Sequence, residues 1–304
     1  MRTEKKSQNL RIGLVYNHNL ARYTSWRVGG NAERLYQPVD LADLQNFLIQ
    51  SPPDEPLTCL GLGSNVLIRD GGIKGTVIFT LNRLKKISFF KEEKRLVIRA
   101  ESGVTCHRLA RFCISLGLKD AAFFAGIPGT VGGALTMNAG AFGVDTWHHV
   151  VRVETIDRMG MLHKRRSDEF TIGYREIHGL NSQFFVSGYF YFDQKNTVDT
   201  KRSISIFLKK RNNTQPIGTF SCGSVFRNPQ GNYAAHLIET AGLKGMSIGN
   251  AEVSKKHANF ILNTGGANAA DIEQLIQYVA QRVYEIHGIQ LVKEVHILGD
   301  YRTF

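Results

Sequence analysis

The chain has 304 residues, 42% hydrophobic and 10% aromatic, with a formal net charge of +12, enough for two or three domains around a core that buries a cofactor. No run of about eighteen apolar residues occurs, which excludes a membrane-spanning helix. The basic clusters are short (KEEKR at 91–95, HKRR at 163–166) and no aromatic–basic repeat accompanies them, which argues against nucleic acid as a partner.

The N-terminus, MRTEKKSQNLRIGL, is charged and lacks an apolar signal region. Next, DLADLQNFLIQS (40–51) predicts a helix capped by Asp40, with Leu41, Leu44 and Leu48 on one face and Pro52-Pro53 beyond its end. Strands follow over 58–65, running into a glycine turn, and over GTVIFTL (75–81); residues 87–103 read as a hairpin. CHRLARFCISLGL (106–118) is an amphipathic helix with Gly117 near its end. Residues 149–165 form a second hairpin turning near Met159-Gly160, FFVSGYFYF (184–192) is a strand, and SISIFLKKR (203–211) a helix. Toward the C-terminus, NYAAHLIETAGL is a short helix. Residues 268–288 form the clearest helix, capped by Asn268, striped with Ile272, Ile276, Val279, Val283 and Ile286, and stopped by Gly288. IQLVKEVHIL reads as a final strand. Mixed strands, hairpins and helices indicate an α+β protein of more than one domain.

Cys59, Cys106, Cys113 and Cys222 form no C-x-x-C pair, and their spacing suits neither a zinc site nor a disulfide framework. A reducing, cytoplasmic setting is expected. No His/Asp/Glu cluster has metal-ligand spacing, so no metal is expected.

Two glycine-rich stretches need explanation: GLGSNVL (61–67) after a strand, and GIPGTVGGALTMNAGA (126–141) after a helix. Glycine lets a ligand touch main chain directly, and successive free amides bind anions. Ser64, Asn65, Thr130 and Asn138 add donors with little bulk. One such turn alone reads as tight packing, but two suit a dinucleotide's pyrophosphate. Neither G-x-G-x-x-G nor the P-loop pattern is present, so the scaffold is of neither common kind.

In order along the chain, GLGSNVLIRDGG, AGIPGTVGGALTMNAGAFG, IGYR, GSVFRNP, LIETAGLKG and KEVHILGD closely resemble the bacterial UDP-N-acetylenolpyruvoylglucosamine reductase family, from about Thr24 to Gly299. The resemblance implies the FAD-binding fold of the vanillyl-alcohol oxidase type. Residues 1–84 and 85–212 would form two α+β flavin subdomains. Residues 213–304 would form a substrate domain whose last strand returns toward the flavin. FAD would lie on Gly61, Gly63, Ser64, Asn65 and Leu67 of the first loop. The second loop would add Gly126, Ile127, Pro128, Gly129 and Thr130, then Gly132, Gly133, Asn138, Ala139 and Gly140.

Family chemistry passes electrons from NADPH through FAD to the β-carbon of an enolpyruvyl ether on UDP-N-acetylglucosamine, giving UDP-N-acetylmuramate for peptidoglycan. Negative charge develops toward the α-carbon and its carboxylate, and the α-carbon takes a proton. By resemblance, Arg175 in IGYR binds the carboxylate and stabilises the enolate, since a guanidinium fork fits a carboxylate. Ser224 in GSVFRNP supplies the proton, and Glu294 in KEVHIL, protonated, donates to the enolate. Without the resemblance, Arg175 reads as a surface ion pair with Glu176, Ser224 as a turn residue, and Glu294 as a partner of Lys293 or Arg302. Cys222 is expected to be structural, and His257 and Asn259 read equally well as structural. Arg211, Gln215, Asn228, Glu239 and Lys244 match positions near the family's nucleotide-sugar site.

A larger subclass inserts a tyrosine-bearing segment between the catalytic arginine and serine. Only residues 176–223 separate Arg175 from Ser224 here, so the chain resembles the compact, type II subclass, with Tyr233 as a candidate cover for substrate. A monomer is the default expectation. Two alternatives remain at this point: a flavin-dependent oxidase of the same fold, and a non-catalytic nucleotide-binding protein. The oxidase leaves GSVFRNP and KEVHIL unexplained, and the binding protein would be colourless.

Overall fold

The computed structural model describes residues 13–93, 95–192, 208–209 and 211–302. The first sheet has the strand order β1-β2-β5-β3. β1 (Leu14–Asn19) pairs antiparallel with β2 (Asn31–Tyr36), while β2 and β3 (Leu57–Leu60) flank β5 (Ile73–Phe79) in parallel. β5 is buried at all but one position, as a central parallel strand covered on both faces should be. Helix α1 (Leu41–Gln50) crosses from β2 to β3, with Asp40 accepting from the Asp43 amide at 2.9 Å. Leu44, Phe47 and Leu48 are its buried face, and Phe47 stacks on Tyr36.

The second sheet is antiparallel, in the order β11-β10-β14-β7-β6. It comprises β6 (Ile87–Glu92), β7 (Arg95–Glu101), β10 (Val150–Ile156), β11 (Leu162–Arg166) and β14 (Phe184–Tyr191). Against it pack α2 (Cys106–Ser115), a 3-10 helix (Lys119–Gly126) and α3 (Val131–Thr136), enclosing Ile98, Leu109, Phe124, Leu135, Trp147 and Phe190. α3 lies inside the second glycine stretch, where the sequence suggested only a loop. Glycine is a poor helix former, but Thr130 caps the helix through the Gly133 amide and Val131, Ala134 and Leu135 bury its inner face.

The C-terminal part has a three-stranded antiparallel sheet, β15 (Ser247–Ile248), β16 (Ala251–Val253) and β17 (Ile261–Asn263), with helices Ala234–Thr240 and Ala269–His287. Asn268 and Asp271 form a reciprocal cap on the long helix, and Gly288 ends it with φ +67°. Ile272, Ile276, Val279 and Val283 are buried. Ile286 is 46% exposed, because the last turn runs past the core. That core also takes Trp26, Val28 and Leu67 from far earlier in the chain. The Trp26 indole N–H donates to the Ile261 carbonyl at 2.7 Å, and Asn263 Nδ2 donates to the Trp26 carbonyl at 2.9 Å.

The final strand is shorter than expected. β18 (His296–Leu298) pairs in parallel with β4 (Val66–Ile68), beside the first glycine loop, while Lys293 instead bridges to Phe226. The helix expected over 203–211 falls mostly outside the described residues; 208–209 and 211–214 are helical. Among the described residues no helix is long and apolar enough to cross a membrane.

Candidate active site

A cavity of about 700 Å³ opens where these parts meet. One end is main chain. Gly61, Gly63, Ser64 and Asn65 line it from the β3–β4 connection, and Gly126 to Thr130, Gly132, Gly133, Ala139 and Gly140 line it from the second loop. A Cβ on Gly61 would run into the Thr130 hydroxyl, so the two loops interlock through bare backbone. Gly63 takes φ +68°, and its carbonyl is held by the Ser25 amide at 2.9 Å. Among the described residues no acceptor takes the Gly63, Ser64 or Asn65 amide.

The other part of the lining, which meets the first at Gly140, is charged. β12 (Thr171–Gly173) and β13 (Glu176–His178) form a hairpin whose two-residue turn presents Arg175. Its Nε donates to Glu294 Oε1 at 3.1 Å, Nη1 to Asp145 Oδ1 at 3.2 Å and to the Asn138 carbonyl at 3.3 Å, and Nη2 to the Gly140 carbonyl at 3.3 Å. Glu176, the partner that sequence alone suggests for Arg175, instead meets Arg227 at 3.0 Å. Glu294 pairs with neither Lys293 nor Arg302. Burial pushes its carboxyl above the usual value, with Arg175 and then Arg227 pulling it back. Ser224 lines the same wall. The Glu294 amide donates to the Val225 carbonyl at 2.8 Å, which sets Glu294 beside the serine. Asn259 braces this ribbon by exchanging hydrogen bonds with the Phe226 backbone, a structural role. Cys222 is buried, its thiol pushed up to about 12, and donates weakly to the Val66 carbonyl.

A family model described as UDP-N-acetylenolpyruvoylglucosamine reductase, C-terminal domain, matches residues 215–298, and a second, FAD binding domain, matches 32–165. A UDP-N-acetylenolpyruvoylglucosamine reductase of Coxiella burnetii (strain RSA 331 / Henzerling II) is 65% identical over 306 residues, covering 95% of this chain and 97% of its own. This chain belongs to the UDP-N-acetylenolpyruvoylglucosamine reductase family. A relative from Alkalilimnicola ehrlichii is 54% identical, covering 93% of this chain and 94% of its own. The crystal structure of the Thermus caldophilus reductase superposes with a TM-score of 0.78 at 28% identity, over 94% of this chain and 98% of that one. The α+β flavin-binding fold expected from the sequence is the fold observed.

FAD fits the glycine end of this reductase. A Cβ on Gly129 or Gly133 would meet protein atoms no closer than 3.7 Å, so packing does not require glycine there, and both residues line the cavity. The Gly63, Ser64 and Asn65 amides, which no acceptor takes among the described residues, and a cavity of this size suit a phosphate-bearing cofactor.

Not every expected residue reaches the reductase cavity. Leu67 is fully buried in the C-terminal core and does not line it. Asn138 is also buried behind the wall: its amide donates to the Gly173 carbonyl at 3.0 Å and accepts from the Trp147 amide at 3.1 Å, bracing the Arg175 hairpin. Arg211 and Gln215 line the cavity, with Arg211 Nε donating to Gln215 Oε1 at 3.1 Å. Asn228 does not line it; its side chain accepts from the Ala234 amide. Glu239 and Lys244 lie outside too and pair with each other. Tyr233 is 70% exposed and away from the cavity.

Sequence reasoning missed His296 and Met137. Both line the cavity and meet at 3.0 Å between Nε2 and Sδ. Burial and then the nearby Arg227 charge hold the His296 imidazole below its usual value. A signal existed: Glu294, His296 and Leu298 stand at alternate positions leading into β18, and all three line the cavity.

Proposed function

We infer that this reductase-family member is an FAD-dependent oxidoreductase that converts UDP-N-acetylglucosamine enolpyruvate to UDP-N-acetylmuramate for peptidoglycan synthesis. We take NADPH as the electron source and the cytoplasm as the setting. One observation carries the reading: Arg175, Glu294 and Ser224 line the same cavity as the glycine cradle.

Bound FAD supplies hydride chemistry at the substrate's β-carbon. Arg175 binds the enolpyruvyl carboxylate and stabilises charge spreading into it, an effect worth about 3–4 kcal/mol per donor in comparable sites. Its other partners hold the guanidinium in place for this. Burial raises the Glu294 carboxyl, and in its protonated form it would neutralise none of the Arg175 charge and donate a hydrogen bond to the developing enolate. Ser224 delivers its proton to the α-carbon, helped by the positive field of Arg175. Arg211 and Gln215 bind the nucleotide-sugar end of the substrate. Burial lowers the Arg211 pKa, yet a guanidinium remains charged and suits a diphosphate.

Purified protein is therefore yellow, and NADPH bleaches it anaerobically. Ser224→Ala keeps that bleaching but loses product formation by about 10²–10⁴-fold, the usual worth of general acid help. Survival of both half-reactions in Ser224→Ala removes the proton-donor assignment. Colourless protein that takes up no FAD removes the whole reading.

A further inference from the structure

Arg175 occupies the second position of the Tyr174–Arg175 turn with φ +61°, a left-handed conformation that side-chain-bearing residues rarely adopt. An arginine placed where glycine is the usual occupant needs to be held. Asn138 holds the hairpin from inside, through the Gly173 carbonyl. From the other side comes Arg227, three residues after Ser224. Its Nη2 donates to the Arg175 carbonyl at 3.3 Å, and its Nη1 to Glu176 Oε2 at 3.0 Å, so one guanidinium grips both residues at the end of the turn.

Arg227 is anchored on the ribbon that carries the other two reactive groups. Its amide donates to the Val292 carbonyl at 2.9 Å, and Glu294 returns a bond to Val225 at 2.8 Å. Asn259 fixes Phe226 between them. Ser224 and Glu294 therefore share one hydrogen-bonded ribbon, and Arg175 sits on another element.

We propose that Arg227 is a positioning residue, clamping the Arg175 turn to the Ser224–Glu294 ribbon so that carboxylate binding and proton delivery stay in register. The claim rests on the functional reading above. An isolated Arg227–Glu176 ion pair would be a half-exposed contact of little consequence. The bond to the Arg175 carbonyl distinguishes this clamp from such a pair.

The clamp also carries charge. Glu294 faces Arg175 from the hairpin, with Asp145 beyond it, and Arg227 and His296 along its own ribbon. Arg227 opposes the rise that burial imposes on Glu294. Removing that charge moves the Glu294 titration to higher pH.

The test uses FAD-loaded Arg227→Met, Arg227→Lys and Arg175→Ala in anaerobic stopped flow, with FAD content and melting temperature as controls. Arg227→Met is expected to slow reoxidation of reduced enzyme by UDP-N-acetylglucosamine enolpyruvate by about 10²-fold, as small misplacements of reactive groups do. Reduction by NADPH stays near the parent rate, and the alkaline limb of reoxidation moves upward. Arg227→Lys, which keeps charge without the fork, leaves that limb in place, regains part of the rate, and serves where Arg227→Met folds poorly. Parent-like reoxidation with an unmoved limb, or equal slowing of both half-reactions in both variants, overturns the clamp. If Arg175→Ala slows reoxidation and Arg227→Met does not, only the clamp fails; if Arg175→Ala leaves it untouched, the functional reading fails as well.

Discussion

The two ends of the cavity are built by opposite means. At the glycine end the wall is backbone: two loops interlock because Gly61 and Thr130 touch, and Gly129 and Gly133 leave room where a Cβ would stand. At the reactive end the wall is a charged cluster in which Arg175 meets Glu294, 119 residues away in the chain, and Asp145. Bare backbone suits a large group that it touches at many atoms. Charge developing at one substrate carbon needs a few donors fixed by their own neighbours.

The sharpest way to break the comparison is to fill the backbone end. Gly129→Leu starts from a Cβ that would meet no protein atom closer than 3.7 Å, so the protein should fold yet lose FAD by more than about 10²-fold in affinity, read as lost flavin absorbance at near-parent melting temperature. Retained yellow colour would mean the cradle lies elsewhere. At the charged end, Arg175→Ala should keep FAD and NADPH-driven bleaching while slowing reoxidation by substrate about 10²–10³-fold. Equal loss in both steps would mean that the two ends are not separable.

Glu294 sharpens the comparison through pH. Burial raises its carboxyl, so the protonated donor prevails below that raised value and is lost as pH climbs through it. Turnover with substrate should fall along an alkaline limb. Glu294→Gln, neutral at every pH, should remove this limb while running at most about 10²-fold below the parent. A limb that persists in Glu294→Gln belongs to another group. The smallest effect is at the cap of α3. Thr130→Ala should cost about 1 kcal/mol and lower the melting temperature by about 2–4 °C, with FAD retained.

The glycine lining of the cavity was legible because its constraint is local. Glycines needed for close approach stand next to one another in sequence, as do the small polar residues between them. The amphipathic helices α1 and Ala269–His287 were legible for the same reason, since cap, stripe and stop all lie within one segment, and α2 through its stripe and Gly117. α3 was not, since its glycine-rich sequence argues against a helix and only burial of Val131, Ala134 and Leu135 overrides that. At the reactive end Arg175, Ser224 and Glu294 were named through resemblance, and local pattern alone would have paired Arg175 with Glu176. Asn138 and Asn228 misled for a physical reason. Both have amide side chains in plausible loops, but folding uses those amides to satisfy backbone groups rather than to face the cavity.

By itself the sequence determined the α+β class, the long amphipathic helices and the two glycine loops, because each depends on residues close together in the chain; the flavin came from a family resemblance carried by motifs spread along it. Only the tertiary structure decided that β18 lies beside β4, that Trp26 and Leu67 belong to the C-terminal core, and that Arg227 rather than Arg175 meets Glu176. Such contacts join residues separated by tens to hundreds of positions. Which of them forms depends on how the surrounding sheets and helices pack, and no local pattern encodes it.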